Sequence, residues 1–135
     1  MYGYVANNFK KNIEIYLSVK SLEIKFKNED IVNKSNINEV IEKIIESNTS
    51  VLIVESSSFQ NDEIAVDFCF KIRSETDIRI ILISLNKELL SKLAMIGIYD
   101  LIYFTKNINL EEKIDQLLIR KNKISDINEF LNLNT

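Results

Sequence analysis

The 135-residue chain contains no histidine, no proline and no tryptophan, and it has only two glycines and one cysteine. Without histidine, the chain cannot build a Ser–His or Cys–His nucleophile pair or a histidine-ligated metal site. Two glycines are too few for a glycine-rich phosphate loop, and neither GxGxxG nor GxxxxGK[ST] occurs. We therefore expect a protein that is not an enzyme and that holds no metal ion or cofactor.

Charge and hydropathy exclude further classes. The net charge is −3 and the isoelectric point is about 5.1, with lysines spread among acids, so direct contact with nucleic acid is not expected. One cysteine cannot form an intramolecular disulfide, which suits a reducing compartment. No apolar run approaches the roughly 18 residues of a membrane helix, and the first apolar residues precede the lysines, unlike a secretory signal. We expect a cytoplasmic protein without membrane insertion.

Short β-like runs alternate with segments of helical period along the chain. The predicted strands cover residues 2–6, 22–26, 51–54, 78–84 and 99–104. The third and fourth are almost wholly aliphatic, which is typical of strands covered on both faces. This alternation predicts a doubly wound α/β domain, with a five-stranded parallel sheet and helices on both faces.

Helix starts and the C-terminal segment complete the predicted layout. Capping boxes are predicted at Asn36 with Glu39 and at Asn109 with Glu112, and Asn86 is a further N-cap. We assign residues 1–120 to the domain and residues 121–135 to an extension. The extension carries apolar residues at helical spacing and is interpreted either as a docked extra helix or as a linker; these residues are Ile124, Ile127 and Leu131.

Polar residues follow four of the predicted strands. Asn7 and Asn8 follow the first strand, Glu55 ends the third, Ser84 ends the fourth and Lys106 follows the fifth. The carboxyl ends of parallel strands meet at one edge of the sheet, where such folds bind ligands. An acid, a hydroxyl and a lysine at neighbouring strand ends therefore form a candidate site.

Three segments, VLIVE, IILIS and GIYDLIYFTK, resemble the receiver domain of two-component response regulators over about residues 2–120. The resemblance implies a flavodoxin-like fold with strand order 2-1-3-4-5. It also implies that Glu55 stands at the phosphorylated aspartate, and that Asn7 and Asn8 stand at the acids that bind Mg²⁺. Ser84 and Lys106 then correspond to the residues that end the fourth and fifth strands.

Departures from the receiver pattern indicate a degenerate phosphorylation site. Asn7 and Asn8 offer amides, which are poor substitutes for carboxylates around Mg²⁺. Glu55 is one methylene longer than aspartate, and phosphoryl transfer depends on accurate positioning. Lys106 lies two residues later than the pattern expects, so that Phe104 is nearer the lysine position. We interpret Glu55 as a fixed negative charge, locked in a pair if Lys106 reaches it; the alternative is a solvated acid at a strand end.

Receivers signal through the fourth helix and fifth strand, so Tyr99 and Tyr103 are candidate partner-surface residues, or else half-buried strand residues. The leading hypothesis is a non-catalytic pseudo-receiver that serves protein interaction, dimerisation or localisation. Such domains precede MinD/ParA-like ATPases of pilus assembly, so an ATPase domain is one candidate partner. A working phosphoacceptor that controls an effector such as a transcription factor is the alternative. A DNA-binding regulator would need its DNA contacts in another domain.

Other notable residues have simpler interpretations. Cys69 lies between Phe68 and Phe70 and is predicted to fill the core, because a reactive thiol needs exposure and nearby positive charge. The serine run 56–58 is predicted to be a loop that leads into a helix. A flavin-binding flavodoxin is excluded because residues 6–9 contain no serine, threonine or glycine for a phosphate loop.

Overall fold

The computed structural model describes residues 1–131, which form five strands and six helices in one doubly wound α/β domain. The strands are β1 (Tyr2–Val5), β2 (Ile24–Asn28), β3 (Val51–Glu55), β4 (Arg79–Ser84) and β5 (Leu101–Tyr103). The helices are α1 (Lys10–Val19), α2 (Ile37–Glu46), α3 (Asp62–Glu75), α4 (Lys87–Met95), α5 (Leu110–Ile119) and α6 (Asn128–Leu131). Every pairing is parallel and the strand order is 2-1-3-4-5, so the predicted fold class is confirmed. No helix among these residues is long and apolar enough to cross a bilayer.

Two hydrophobic cores lie on opposite faces of the sheet. Successive side chains of a strand point to opposite faces. In β3, Leu52 and Val54 therefore pack towards α2, α3 and α4, whereas Ile53 packs towards α1 and α5. In β4, Leu82 and Ile83 divide in the same way. Both faces of these central strands are buried, which explains why their sequences are continuously aliphatic.

Two strands, β2 and β5, begin two residues later than predicted, and the other differences at strand ends are of one or two residues. Leu22 does not open β2, because its N–H donates to the Leu17 carbonyl at 2.8 Å and closes the end of α1, with Ser21 at φ +57°. The strand therefore begins two residues later, at Ile24. At β5, the Leu101 N–H donates to the Tyr99 carbonyl at 2.9 Å, and this turn delays the strand until Leu101.

Asparagine side chains begin two of the helices as predicted. Asn86 accepts hydrogen bonds from the first turn of α4, and Asn109 accepts one from the third residue of α5. The capping box predicted at Asn36 and Glu39 is wrong. The Asn36 side chain instead accepts from the Asn33 N–H at 2.8 Å, within a turn that precedes α2, so it is not available to cap the helix.

The extension folds back onto the domain as far as residue 131. A 3₁₀ turn (Ile124–Ile127) leads into α6, which packs against α4. Ile127 and Phe130 are buried in the same core as α4, whereas Ile124 is 55% exposed. Residues 132–135 lie outside the described part of the chain.

A buried ion pair holds the start of this extension. Arg79 Nε lies 2.7 Å from Asp100 Oδ2, and the Arg79 guanidinium also donates to the Leu117 carbonyl. The other Asp100 oxygen accepts the Asn122 N–H at 2.8 Å, and the Asn122 side chain donates to the Tyr99 carbonyl at 3.0 Å. Strand β4, the end of α5 and the extension therefore meet at this ion pair.

Cys69 is buried on the inner side of α3, as predicted. Burial raises the pKa of its thiol to about 12, because the ionised form would lose its hydration. The thiol therefore has a structural position in the core.

Candidate functional site

Glu55 lies at the end of β3 with its side chain inside the protein. It is level with Ile83 of β4 and is only 1% exposed. Its place in the alternation of β3 directs the side chain to the face that carries Ile53 and α1. The interpretation of Glu55 as a solvated strand-end acid is therefore wrong.

The chain itself supplies every hydrogen bond to the Glu55 carboxyl group. Oε1 accepts the N–H of Asn7 at 3.0 Å and the N–H of Phe9 at 2.8 Å. Oε2 accepts from the Ser57 hydroxyl. The loop after β1 thus wraps around the carboxyl group, with two backbone N–H groups on Oε1 and the Ser57 hydroxyl beside Oε2.

A second layer of polar contacts ties this loop to the loop after β3. The Asn7 side chain donates to the Ser57 carbonyl at 3.2 Å, and its oxygen accepts the Asn8 N–H at 2.6 Å. The Ser57 hydroxyl also lies 2.8 Å from the Asn7 side-chain oxygen. A hydroxyl has one hydrogen, so Ser57 donates to Asn7 or to Glu55 at any moment. The two loops are closed onto each other by their own polar groups.

An aromatic pair packs beside this network. The rings of Phe9 and Phe104 lie 4.6 Å apart between centroids, at an interplanar angle of 49°. Both belong to the α1 side of the sheet, the side to which Glu55 points. Phe104 is the residue nearest to the position where the receiver pattern has its lysine, so an apolar ring stands where that pattern has a cation.

Lys106 does not pair with Glu55. Its side chain is exposed, and in residues 1–131 no ion pair within 4.0 Å involves Glu55. The strand ends at Tyr103, so Lys106 follows in the loop that leads away from the sheet. The locked lysine–carboxylate pair is therefore wrong.

Ser84 belongs to a separate network. It is buried, its hydroxyl accepts from the Ser56 hydroxyl at 2.8 Å, and it accepts the Asn86 N–H at 2.9 Å. The residue before it, Ile83, faces the α1 side, so Ser84 faces the opposite side from Glu55. The structure thus joins Glu55, Asn7 and Asn8 but separates them from Ser84 and Lys106.

The donor set around Glu55 does not fit Mg²⁺. The ion prefers several oxygen ligands and usually retains water molecules. Glu55 Oε1 and the Asn7 side-chain oxygen already accept backbone N–H groups, and the Ser57 hydroxyl lies beside Glu55 Oε2. Within residues 1–131, no group of three Asp, Glu, Cys or His residues is arranged to hold a metal ion. The arrangement can fix two loops, but the buried carboxyl group presents no exposed oxygen to a phosphoryl donor.

The two candidate partner-surface tyrosines are both half-buried and line different cavities. Tyr103 lines a groove of about 800 Å³ between β5, α5 and the extension. The Lys87 ammonium lies 5.7 Å from the centre of its ring. Tyr99 lines a cavity of about 230 Å³ near Arg73. Tyr103 alone faces a groove large enough for a peptide segment.

Sequence reasoning missed several residues that build this site. The sequence predicts a loop at Ser57, whereas Ser56–Ser58 form a 3₁₀ turn. Phe9 holds Glu55 through its backbone N–H, which no side-chain pattern reveals. The signal for Phe104 is the position of Lys106, two residues later than the receiver pattern expects. At the opposite end of the sheet, Arg79 and Asp100 gave no pattern either, because their contact joins β4 to the residue that precedes β5.

No protein-family model matches the chain, and no curated protein is significantly similar to it in sequence.

Proposed function

We propose that the chain is a non-catalytic pseudo-receiver that binds other proteins in the cytoplasm, within a signalling or pilus-assembly system. The observation that carries the proposal is the enclosed Glu55 carboxyl group. A phosphoacceptor must present an oxygen to a phosphoryl donor, whereas Glu55 is only 1% exposed and its Oε1 accepts two backbone N–H groups. A domain that keeps a receiver-like sheet without an accessible acceptor is suited to binding.

The groove beside β5 is the proposed docking surface for a partner protein, such as an ATPase domain. Its support is the backbone of β5. The Asp100 carbonyl and the Phe104 N–H bond to β4, both at 2.9 Å. In a parallel ladder the alternate residues, Leu101 and Tyr103, then direct their backbone groups away from β4. The Leu101 N–H already donates to the Tyr99 carbonyl, so the groups left for a partner are the Leu101 C=O and the N–H and C=O of Tyr103. These groups face the groove of about 800 Å³ and can pair with an extended segment of the partner.

An amide NMR titration with Mg²⁺ and then beryllofluoride tests the loss of phosphorylation. Beryllofluoride mimics a phosphorylated acid, so a working receiver would show saturable shifts around its acceptor. We expect no saturable shift at Glu55, Ser84 or Lys106. Glu55→Gln is the matched control. Shifts that occur in the wild type and disappear in Glu55→Gln would establish the alternative, a functional phosphoacceptor.

A further inference from the structure

The groove beside β5, which we call the β5 groove, has one wall on each face of the sheet. Leu101 of β5 belongs to the same core as Ile127 of the extension, whereas Ile102 belongs to the same core as Leu117 of α5. These residues all line the groove. An extended segment paired with β5 would continue the pleat of the sheet, so its successive side chains would face α5 and the extension in turn.

The α5 wall carries an uncompensated positive charge. Four residues of α5 line the groove at the spacing i, i+3, i+4 and i+7, which is one stripe of the helix; these are Lys113, Gln116, Leu117 and Arg120. Arg120 is paired with Asp126 at 3.3 Å. Lys113 is exposed and has no ion pair within 4.0 Å in residues 1–131. An acidic side chain of the partner is therefore the complement of this wall.

The extension wall carries an uncompensated negative charge. Its acids are Asp126, which is paired with Arg120, and Glu129. Glu129 is exposed and, in the chain as described up to residue 131, takes part in no ion pair within 4.0 Å. Lys87 lies on the same face of the sheet, with its ammonium 5.7 Å from the centre of the Tyr103 ring, but it does not line the groove. A lysine or arginine of the partner is therefore the complement of this wall.

The opposite edge of the sheet is protected against strand pairing, whereas β5 is not. Lys25 and Lys27 are exposed on β2, and charged side chains on an edge strand oppose pairing with another chain. The β5 sequence, LIY, contains no charged residue. The Leu101 C=O and the N–H and C=O of Tyr103 can form hydrogen bonds with an added strand. An extended segment is therefore expected to pair at β5.

We propose that the segment bound in the β5 groove carries an acidic side chain on the face towards α5 and a lysine or arginine on the face towards the extension. The acid approaches Lys113 and the base approaches Glu129. Because successive side chains alternate, the acid and the base occupy neighbouring positions or positions an odd number apart. With both on one face, one of them would meet a wall of its own sign. This inference rests on the function proposed for the β5 groove.

Selection from a random peptide library displayed on phage, with the whole chain as bait, tests this inference. We expect the selected peptides to shift the backbone amide NMR signals of residues 101–105 and to carry an acid and a base at neighbouring positions. Exchanging the acid with the residue on its other side moves it to the face of the base without a change of composition. This isomer should bind about fivefold more weakly, because the two wall contacts can no longer form together.

Variants of the walls test whether the preference arises in the groove. Glu129→Lys makes both walls basic, so selection should then yield peptides with acids on both faces. The peptides selected on the wild type should bind this variant about threefold more weakly. Glu42→Lys, the same change of charge at an exposed position of α2, should bind them like the wild type.

Two results would overturn the inference, and they differ in what they say about the docking surface. Peptides that shift the signals of residues 101–105 but bind equally well with acid and base on one face or on two would contradict the charge pattern alone. Selected peptides that leave these signals unshifted, or a library that yields no binder, would contradict the function proposed for the β5 groove together with this inference.

Discussion

Two carboxylic acids are buried among residues 1–131, and they lie at opposite ends of the sheet. Glu55, at the carboxyl ends of the strands, accepts only neutral donors from two adjacent loops. Asp100, just before β5, pairs with Arg79 and joins β4 to the extension. Both acids join segments that are distant in sequence, 46 and 48 residues apart at Glu55 and 21 and 22 residues apart at Asp100. They differ in their donors, which are neutral groups at Glu55 and include a guanidinium at Asp100. The two arrangements also predict different losses in the free energy of unfolding when one member of the contact is removed.

Removing Arg79 should have the largest effect. Arg79→Met leaves the Asp100 carboxylate buried without its cation, which should lower the free energy of unfolding by about 4 kcal/mol. Urea denaturation followed by circular dichroism measures this loss. The double variant Arg79→Met with Asp100→Leu should recover most of it, because no unpaired charge remains. A loss below about 1 kcal/mol in the single variant would show that Asp100 is adequately solvated without Arg79.

Removing Glu55 should cost somewhat less, because the groups left unpaired are neutral. Glu55→Ala leaves two N–H groups and one hydroxyl without their acceptor, and we expect a loss of about 3 kcal/mol. Glu55→Gln retains an acceptor oxygen and should lose about 1 kcal/mol. Equal losses in the two variants would mean that the charge of Glu55, and not its hydrogen bonds, holds the loops.

Asp126, an exposed acid in the extension, provides a third case, in which the contacts of the carboxylate depend on pH. The Lys123 backbone N–H, and then Arg120, hold the pKa of Asp126 below its ordinary value of 3.8. The pKa of Asp126 is lower in the folded protein than in the unfolded chain. Its contribution to the free energy of unfolding is therefore present above pH 3.8, and it is lost as pH falls through the lower pKa of the folded state. The NMR methyl signals of Ile127 should therefore shift in acid. The same signals should not titrate in Asp126→Asn, and titration there would assign the change to another group.

The smallest effect is expected at Lys106. Lys106→Ala removes an exposed lysine without an ion pair in residues 1–131, so the free energy of unfolding should change by less than about 0.5 kcal/mol. Thermal or urea unfolding measures it, with Lys20→Ala, which loses an exposed pair with Asp115, as the comparison. A loss above about 1 kcal/mol would contradict this expectation and would indicate that Lys106 pairs with Glu55 in solution.

The sequence predicted the fold well because the central strands carry an unmistakable pattern. The aliphatic runs of β3 and β4 are typical of strands buried on both faces, and the helical stripes between strands indicate their alternation with helices. The start of β2 was misjudged because Ser21 adopts positive φ, a conformation that its residue type does not announce. The residue at which a strand begins cannot be located from the sequence where such local hydrogen bonds decide it.

The candidate site was predicted in part. The position of Glu55 at a strand end could be read from the sequence, because an acid interrupts an aliphatic run there. Its main donors are the backbone N–H groups of Asn7 and Phe9, and every residue except proline carries such a group. Arg79 and Asp100 meet only through the pairing of β4 with β5. Contacts made by backbone atoms, or between distant residues, therefore escaped prediction.

The buried thiol of Cys69 is a natural probe of local opening of the domain. Its thiol is the only one in the sequence, and it is enclosed between α3 and the sheet with its pKa raised to about 12. An alkylating reagent can reach this sulfur only when α3 separates from the sheet. The rate of labelling under native conditions therefore measures how often this region opens. The measurement needs neither denaturant nor an introduced probe.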